Sequence, residues 1–351
     1  MSAGRGEDKN LAAGGPARHI PVLRAAALAA LELAPGQLYV DGTFGAGGYT
    51  SEMLKAGARV IAFDRDPSAI AAGAPLVQQA GGRLRLVEAR FGAMVTQLAA
   101  LDLGPGSLDG VVLDIGVSSM QIDQAERGFS FRQEGPLDMR MSASGRSAFD
   151  IVQEASVEEL ADIFFYYGEE RASRRIARAI VHDREAQPFT TTRQLAEMIA
   201  RVCPGKPHEI HPATRAFQAL RIAVNDELGE LVSALEGAEL LLKPGGRLAV
   251  VTFHSLEDRI VKMFFAGRSG RGEAVSRLLP GEPARAQSTF TQPSRQAVLP
   301  TQTEMLENPR ARSAKLRFGI RNEAPARPTD PKLTALGRLP TVAGPTRAKG
   351  R

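Results

Sequence analysis

The sequence predicts an α/β protein built on a doubly wound parallel sheet. Strand-length apolar segments alternate with helical segments through the first third of the chain, and this alternation is typical of parallel sheets. Three of these segments end in an aspartate, at Asp41, Asp64 and Asp114. Ligands of open α/β sheets bind beyond the carboxyl ends of the strands, so we expect a ligand site where the three acids meet.

The first strand, residues 37–40, is followed by a glycine-rich loop that ends at Gly48, and a helix begins just after it. Glycines let a ligand approach the backbone closely, and the start of a helix offers free N–H groups. The glycine spacing falls short of the full dinucleotide pattern. On this stretch alone, a tight turn without a ligand remains an alternative.

The second strand, residues 59–64, ends at Asp64, roughly twenty residues beyond the glycines, where a carboxylate can accept both ribose hydroxyls of a nucleoside. Either a dinucleotide or S-adenosylmethionine fits this pattern. Three acids around one crevice favour a ligand with positive charge. S-adenosylmethionine carries a sulfonium and an ammonium, whereas NAD carries two phosphates.

The later elements follow in the same rhythm, apart from one long interruption after Asp114. The predicted strands are residues 83–87, 108–114 and 247–253, with two closing strands at 296–299 and 315–320. The predicted helices are residues 24–33, 67–79, 157–167, 171–183, 192–202, 214–242 (bent near Gly229) and 256–265. Residues 267–294 are rich in Gly, Arg, Ser and Pro, which predicts a mobile loop.

These patterns divide the chain into four parts. Residues 1–18 are predicted to be a flexible leader, and residues 19–121 with 213–322 a discontinuous α/β domain. Residues 122–212 are predicted to be a helical insertion of domain size. Residues 323–351 hold several prolines and scattered basic residues without an apolar period, which predicts a disordered tail.

Composition narrows the functional classes. The chain has no run of 18 apolar residues, so no membrane helix is expected, and its first residues lack the apolar core of a signal peptide. Cys203 is the only cysteine, which excludes an internal disulfide and a cysteine-based metal site. We therefore expect a cytoplasmic protein. The net charge of +5 suits an anionic partner, though weakly.

Several stretches together resemble one family. They include Asp-Gly-Thr-Phe-Gly-Ala-Gly-Gly at 41–48, Asp-Ile-Gly-Val-Ser-Ser at 114–119 and His-Pro-Ala-Thr-Arg at 211–215. Further matching stretches are residues 19–23, 63–67, 121, 127–131, 135–141, 167–170, 217–224, 253–262 and 308–317. On these motifs the chain resembles the bacterial RsmH (MraW) family, which methylates N4 of a cytosine in 16S ribosomal RNA of the small ribosomal subunit.

This resemblance implies a class I, Rossmann-like, S-adenosylmethionine-dependent methyltransferase whose helical insertion binds the substrate. It implies no structural metal, leaves the oligomeric state open, and names 16S rRNA within the small subunit as the partner. The cofactor contacts that it implies are Gly47, Gly48, Tyr49, Asp64, Phe91, Asp114 and Gln121. Tyr49 departs from the family, which usually has histidine there, so a side-chain contact to the methionine moiety would be altered.

The physical character of these residues agrees with such contacts. Gly47 and Gly48 leave room for a ligand against the backbone, Asp64 accepts the ribose hydroxyls, and Phe91 offers adenine an apolar face. An ordinary place in the core is the alternative for Phe91.

The catalytic group is not readable from the sequence, and three candidates stand. Asp114 begins the Asp-Ile-Gly-Val stretch, in the place where amino-methylating enzymes hold an acid or amide. His254 follows the fifth strand, either near the target base or bonded within its own loop. Ser118 is either a base contact or, with better odds, a cap of its loop.

The stretch after Asp114 lacks the aromatic residue that such enzymes use to stack the target base. Phe129, Phe131, Tyr166 or Tyr167 would then supply it, unless they close the core of the insertion.

A row of arginines at helical spacing marks the insertion as a possible RNA surface. Its members are Arg171, Arg174, Arg175 and Arg178. Phosphate-binding stripes have this spacing, but a solvated face paired with Glu169 and Glu170 has it too. Three other functions also remain open: a methyltransferase of the same fold acting on DNA or a small molecule, a nicotinamide-dependent dehydrogenase, and a non-catalytic ribosome-assembly factor.

Overall fold

A seven-stranded sheet forms the centre of the molecule. The computed structural model describes residues 21–142, 144–205, 210–270 and 287–340. The strands are β1 Leu38–Asp41, β2 Arg59–Asp64, β3 Leu84–Glu88, β4 Leu108–Asp114, β5 Leu242–Thr252, β6 Phe290–Thr291 and β7 Lys315–Arg321. Their spatial order is β3-β2-β1-β4-β5-β7-β6.

The first five strands are parallel, and β7 runs antiparallel between β5 and β6. After β3 the chain returns to the other side of β1 to form β4, so the winding reverses between β1 and β4. Ligands bind at such a reversal in open α/β sheets. The predicted doubly wound α/β fold is therefore confirmed, and the carboxyl ends of β1 and β4 are the place to look for a site.

Helices cover both faces of the sheet. They are α1 Arg24–Leu31, α2 Gly48–Lys55, α3 Pro67–Ala72, α4 Ala74–Gln79, α5 Met94–Ala99, α6 Ser119–Asp123, α7 Ala148–Glu154, α8 Val157–Asp162, α9 Ser173–Ala186, α10 Thr192–Val202, α11 Ala213–Asn225, α12 Glu227–Leu241, α13 Ser255–Arg268, α14 Gln302–Glu307 and α15 Pro331–Leu336. A π-helical segment, Ile163–Tyr167, continues α8. In the part of the chain that the structure describes, no helix is both long and apolar enough to cross a membrane.

Alternating strand residues build a separate core on each face, as the two-residue period of a strand requires. Val111 and Leu113 of β4 pack into one core with α5, α11, α12 and α13. Val112, between them, packs into the other with α1 and α2. Every one of these side chains is wholly buried, so both faces are covered, as parallel sheets require.

The helical insertion shares the first of these cores. Phe164 and Leu195 belong to the same buried cluster as sheet residue Leu113. Phe131 packs edge-on against Phe217 of α11, with ring centroids 4.9 Å apart. Removing the insertion would therefore expose the apolar face of α11, so the two parts depend on each other for stability.

Two predicted helices and one predicted strand differ from the structure. Residues 67–79 form α3 and α4, which meet at Gly73. Residues 214–242 also form two helices, because Asp226 adopts the left-handed region at φ 51° and ends α11. The break lies three residues before the predicted bend, since Gly229 lies within α12. Residues 296–299 form only an isolated bridge, Val298 to Leu316; the edge strand is β6, within the predicted loop.

The predicted disordered tail is wrong for residues 323–340. Leu333 of α15 is 1% exposed and belongs to the core cluster that contains α12 and α13. The backbone N–H of Asp330 donates to Glu236 of α12 at 3.1 Å. Prolines set the starts and stops of this segment rather than preventing it from packing. Residues 341–351, like the predicted leader, lie outside the described residues.

Candidate active site

A cavity of about 500 Å³ opens at the carboxyl ends of β1, β2 and β4. Such a volume is typical of small-molecule sites. The loops that follow these strands form its walls, together with α6, one residue of α11, one residue just after β5 and two residues after α14. The site therefore lies where the winding of the sheet reverses.

The glycine loop after β1 forms one wall, and its two last glycines have different roles. Gly48 lines the cavity, and a Cβ there would lie 2.4 Å from the ring of Pro21. Gly47 does not line it; this residue adopts φ 74° and starts α2, where a Cβ would press on Phe44 at 3.0 Å. The predicted contact at Gly48 is thus open to a ligand, whereas Gly47 shapes the turn.

Asp64 lies at the end of β2 and lines the cavity. One carboxylate oxygen accepts from the backbone N–H of Gly45 at 2.8 Å, and the other accepts from Asp66 N–H at 2.9 Å. Burial raises the pKa of Asp64. Because each oxygen uses only one acceptor site, both retain capacity for the two hydroxyls of a ribose.

Two further acids lie at the ends of β1 and β4. Asp41 is wholly buried beneath the loop and accepts from the Thr50 hydroxyl at 2.7 Å; burial raises its pKa to about 6. Asp114 lines the cavity, and its Oδ1 is buried without a hydrogen-bond partner among the described residues. Burial, with smaller contributions from the charges of Asp41 and Glu257, raises the pKa of Asp114 well above its usual range.

Tyr49 and Phe91 are both cavity residues. Tyr49 is 2% exposed, and its hydroxyl donates to the carbonyl of Val22 at 3.0 Å, so the phenol group is engaged within the protein. Phe91 lies in a 3-10 turn after β3 and packs against the core while lining the cavity. Phe91 is therefore both a core residue and part of the cavity wall.

Gln121 and Ser118 cap α6 reciprocally. The Ser118 hydroxyl accepts from Gln121 N–H at 3.2 Å, and the Gln121 side-chain oxygen accepts from Ser118 N–H at 3.1 Å. The Gln121 amide also donates to Asp66 at 2.9 Å, and Arg127 donates to the same oxygen of Asp66 at 2.7 Å. Both residues line the cavity, but their polar atoms are engaged with each other and, through Gln121, with Asp66, which caps α3.

His254 is not among the residues that line the cavity. It caps α13, where its Nδ1 accepts from Glu257 N–H at 3.4 Å. Its Nε2 lies 2.9 Å from the Glu257 carboxylate. The structure thus gives His254 a place within its own loop and leaves Asp114 as the catalytic candidate whose acceptor is open.

The sequence did not single out several of the polar and aromatic residues that line the cavity. Five of them are Arg127, Arg221, Phe253, Asn308 and Arg310. Phe253 directly follows β5 and lies beside Gly116, where a Cβ would lie 3.8 Å from its ring. It places an aromatic ring next to the stretch after Asp114, which has none of its own. All five fall within stretches that resemble the family, which was the one available signal.

The aromatic residues predicted to stack the target base lie away from the cavity. Phe131 packs against His211 at 4.7 Å between ring centroids, and Phe129 lies under the guanidinium of Arg127 at 5.8 Å. Tyr167 is buried, whereas Tyr166 is 42% exposed. None of the four lines the cavity, so Phe253 is the better-placed stacking partner.

Comparison with known proteins places the chain in a family. Residues 16–321 match the MraW methylase family. The chain belongs to that family. It is 65% identical over 355 residues to "Ribosomal RNA small subunit methyltransferase H" of Methylocella silvestris, covering 100% of both chains.

Two further proteins resemble the chain to different degrees. A protein of the same name from Beijerinckia indica is 63% identical, covering 99% of this chain and 98% of that one. A solved rRNA methylase from Streptococcus thermophilus aligns over 85% of this chain and 95% of that one, with 12% identity and a TM-score of 0.38. That structural likeness is too distant to carry a conclusion.

Family membership and topology together establish the class of enzyme. The chain is a methyltransferase with the class I, Rossmann-like fold, and S-adenosylmethionine is its cofactor. The residues present fit that cofactor, because both Asp64 oxygens keep acceptor capacity for the ribose hydroxyls, Gly48 forms a glycine wall and Phe91 forms an aromatic wall. The acids that favoured a cationic ligand over NAD lie at or beneath this cavity.

Proposed function

We propose that the chain transfers the methyl group of S-adenosylmethionine to N4 of a cytosine in 16S ribosomal RNA, in the decoding region of the small ribosomal subunit. The observation that carries this proposal is the full-length 65% identity to a small-subunit rRNA methyltransferase. The cavity supports it, because it joins cofactor-binding residues to an open acceptor at Asp114.

The cofactor would occupy the part of the cavity that we call the cofactor end, which consists of residues 42–48, Asp64 and Phe91. Asp64 would hold the ribose, Phe91 the adenine, and Gly48 the methionine moiety. Tyr49 would contribute its ring rather than its hydroxyl, since the hydroxyl is bonded to Val22. Gln121 would act through α6, which it fixes against Asp66. When bound, S-adenosylmethionine supplies an electrophilic methyl group on a positively charged sulfur.

The target cytosine would enter the part of the cavity that we call the substrate end, which consists of residues 114–117, Arg221 and Phe253. The amino nitrogen must approach the methyl carbon in line, at about 3 Å, and placement supplies most of the rate. The lone pair of that nitrogen is delocalised into the ring. Asp114 Oδ1 would accept an N4–H hydrogen bond and so favour the lone pair at nitrogen, and it would take up the proton that N4 releases once the nitrogen carries the methyl group. Phe253 would stack on the ring.

The RNA surface would be the helical insertion, residues 122–212. Arg174 and Arg178 on α9 are exposed and form no ion pair with any described residue. Glu169, the partner expected for a solvated face, instead pairs with Arg259 at 2.8 Å. Uncompensated arginines at helical spacing suit a phosphate backbone. The protein would act in the cytoplasm, where ribosomal subunits are assembled.

One experiment tests this function. The protein is incubated with labelled S-adenosylmethionine and small subunits from a strain lacking the gene, and the RNA is digested to nucleosides. We expect the label in N4-methylcytidine at a single position. Label in another nucleoside would overturn the N4 assignment, and methylation of duplex DNA in place of subunits would identify a different substrate. Subunit binding without any methyl transfer would identify an assembly factor.

A further inference from the structure

Arg221 is held rigidly at the wall of the cavity. Its Nε and Nη2 donate to the two carboxylate oxygens of Glu227, each at 2.8 Å. The side chain of Glu227 is 5% exposed and that of Arg221 is 18% exposed. A two-pronged bond of this kind fixes the plane of the guanidinium, so the remaining N–H groups point in a defined direction.

The third nitrogen of this guanidinium is available. Nη1 donates to no described residue, and it is not among the buried nitrogens that lack a partner. Because Arg221 lines the cavity, this nitrogen offers its donors to a molecule bound there. An arginine whose one side is locked in the protein and whose other side is open is suited to recognising an acceptor group.

The residues behind Arg221 form a charge network. Glu227, His254 and Glu257 have oxygen or nitrogen atoms within 4.8 Å of one another, which resembles a set of metal ligands. However, Arg221 occupies both oxygens of Glu227, and one Glu257 oxygen accepts from Phe253 N–H at 2.7 Å. Glu227 is thus matched by the guanidinium, and Glu257 is held by the backbone of Phe253, so the network supports Arg221 rather than an ion.

The same network lies close to Asp114. The charge of Glu257 helps to raise the pKa of Asp114, after burial and the charge of Asp41. Burial acts to raise the pKa of Glu257 as well, but His254 and Arg221 outweigh it and hold this pKa below its usual value. Asp114, whose Oδ1 has no partner among the described residues, and Arg221, whose Nη1 donates to none of them, both line this cavity.

We propose that Arg221 is a specificity-determining residue, which donates to O2 of the target cytosine while Asp114 accepts from its N4 amino group. This inference rests on the proposed function. Cytosine carries a donor at N4 and acceptors at N3 and O2 along one edge. Uracil carries an acceptor at position 4 and a donor at N3, so it would turn an oxygen toward Asp114. A donor and an acceptor fixed on one protein wall thus select cytosine.

The test combines a protein variant with an altered base. Small subunits are reconstituted with 16S RNA carrying 2-thiocytidine at the methylated position, because sulfur accepts hydrogen bonds more weakly than oxygen. Wild-type kcat/KM should fall roughly tenfold on the thio substrate, in line with a weakened bond to a charged donor. For Arg221→Lys, kcat/KM on normal subunits should be roughly 10- to 100-fold below that of wild type. Its further loss of kcat/KM on the thio substrate, which we call the thio effect, should be less than about twofold.

Two controls separate recognition from stability. Arg268→Lys alters another buried arginine–glutamate pair, with Glu239 at 2.7 Å, outside the cavity residues; it should lose stability without changing the thio effect. S-adenosylmethionine affinity of Arg221→Lys should stay within about twofold of wild type.

Each outcome decides one claim. An equal thio effect in wild type and Arg221→Lys would overturn the contact to O2, while leaving the proposed function intact. Absence of N4-methylcytidine with wild-type protein would instead overturn the proposed function. If Arg221→Lys does not fold, Glu227→Gln releases the guanidinium without removing it, and it should reduce the thio effect in the same way; an unreduced effect would refute the inference.

Discussion

The cofactor end of the cavity is built from consecutive strand–helix turns, whereas the substrate end draws on residues from distant parts of the chain. The cofactor end takes its residues from about fifty consecutive positions: the loop after β1, Asp64 at the end of β2 and Phe91 after β3. Asp114 ends β4, Arg221 lies in α11 and Phe253 directly follows β5, and the helical insertion separates the first from the others. The first end depends on local turn geometry, and the second on long-range packing.

This difference leads to separate expectations for the two ends. Changes at the cofactor end should alter S-adenosylmethionine affinity, because the residues of this end form the loop and the walls that would contact the cofactor. Changes at the substrate end should alter methyl transfer at saturating cofactor. A variant that lowers S-adenosylmethionine affinity and the saturated methyl-transfer rate equally would contradict this separation of the two ends.

The largest effect is expected for Asp114→Ala. Removal of the open acceptor should lower methyl transfer at saturating S-adenosylmethionine by roughly 10²–10⁴-fold, the range typical of a positioned proton acceptor. Single-turnover assays on small subunits measure this rate. Ser118→Ala is the matched control from the same loop. Because the Ser118 hydroxyl caps α6, this variant should lower the free energy of unfolding by about 1 kcal/mol and leave the methyl-transfer rate unchanged. Equal rate losses in both variants would exclude a special role for Asp114.

The second prediction links the C-terminal segment to the substrate end. Leu333 of α15 is 1% exposed and packs against α12, whose first residue, Glu227, holds Arg221. Leu333→Ala should lower the free energy of unfolding by about 2–5 kcal/mol, measured by urea denaturation. Leu306→Ala, at a leucine that is 83% exposed, should change it little. A stable Leu333→Ala protein would mean that the segment does not pack in solution.

Asp64→Ala tests the cofactor end directly. Loss of a charged acceptor should weaken S-adenosylmethionine binding by about 1.5–3 kcal/mol, as calorimetry would measure. Glu88→Ala is the matched control, since Glu88 pairs with Asp64 at the end of the neighbouring strand but does not line the cavity. Unchanged affinity in folded Asp64→Ala would remove this residue from the cofactor site.

The pH dependence of binding sharpens the same point. Burial raises the pKa of Asp41 to about 6 and the pKa of Asp114 well above its usual range, so the empty site keeps protons at a higher pH than free carboxylates do. A cationic ligand favours the ionised acids, so binding should release protons. Affinity should rise with pH from 5 to 8, by at most about tenfold per pH unit for each proton released. Calorimetry in buffers of different ionisation enthalpy counts the protons; no release would contradict a cation beside these acids.

The smallest effect is expected outside the cavity. Arg174→Glu with Arg178→Glu should weaken subunit binding several-fold and reduce its salt dependence. Binding releases counterions from the RNA at each phosphate contact, and the double variant would form fewer of these contacts. S-adenosylmethionine affinity should remain that of wild type. Arg201→Glu offers a comparison, since Arg201 is exposed but already paired with Asp183. If the double variant binds and methylates subunits normally, the arginine row is a solvated face.

The same contrast explains what the sequence could predict. Asp64, Gly48 and Phe91 lie next to strands whose ends are readable from local pattern, so their meeting at one edge follows from the fold class. Arg221 and Phe253 reach the cavity only through the packing of α11 and β5, which no local pattern encodes. His254 had a local signal: Glu257 follows three residues later, as in a capping box, and its side chain completes that cap.

The tail shows the opposite error. Its prolines suggested disorder, yet Leu333 and Leu336 lie three residues apart in a short helix that begins at Pro331. Two leucines are too few to produce a visible period. Their burial against α12 and α13 depends on a surface that only the folded sheet presents.

The central claim is that two ends of one cavity perform separate tasks, and a single crossed measurement tests it. Cofactor affinity by calorimetry and single-turnover methylation at saturating S-adenosylmethionine are measured for Asp64→Ala and Asp114→Ala side by side. We predict that Asp64→Ala loses affinity but keeps most of its saturated rate. Asp114→Ala should lose the saturated rate while any change in affinity stays smaller. If both variants lose both quantities in the same proportion, the cavity acts as one undivided site and the account is contradicted.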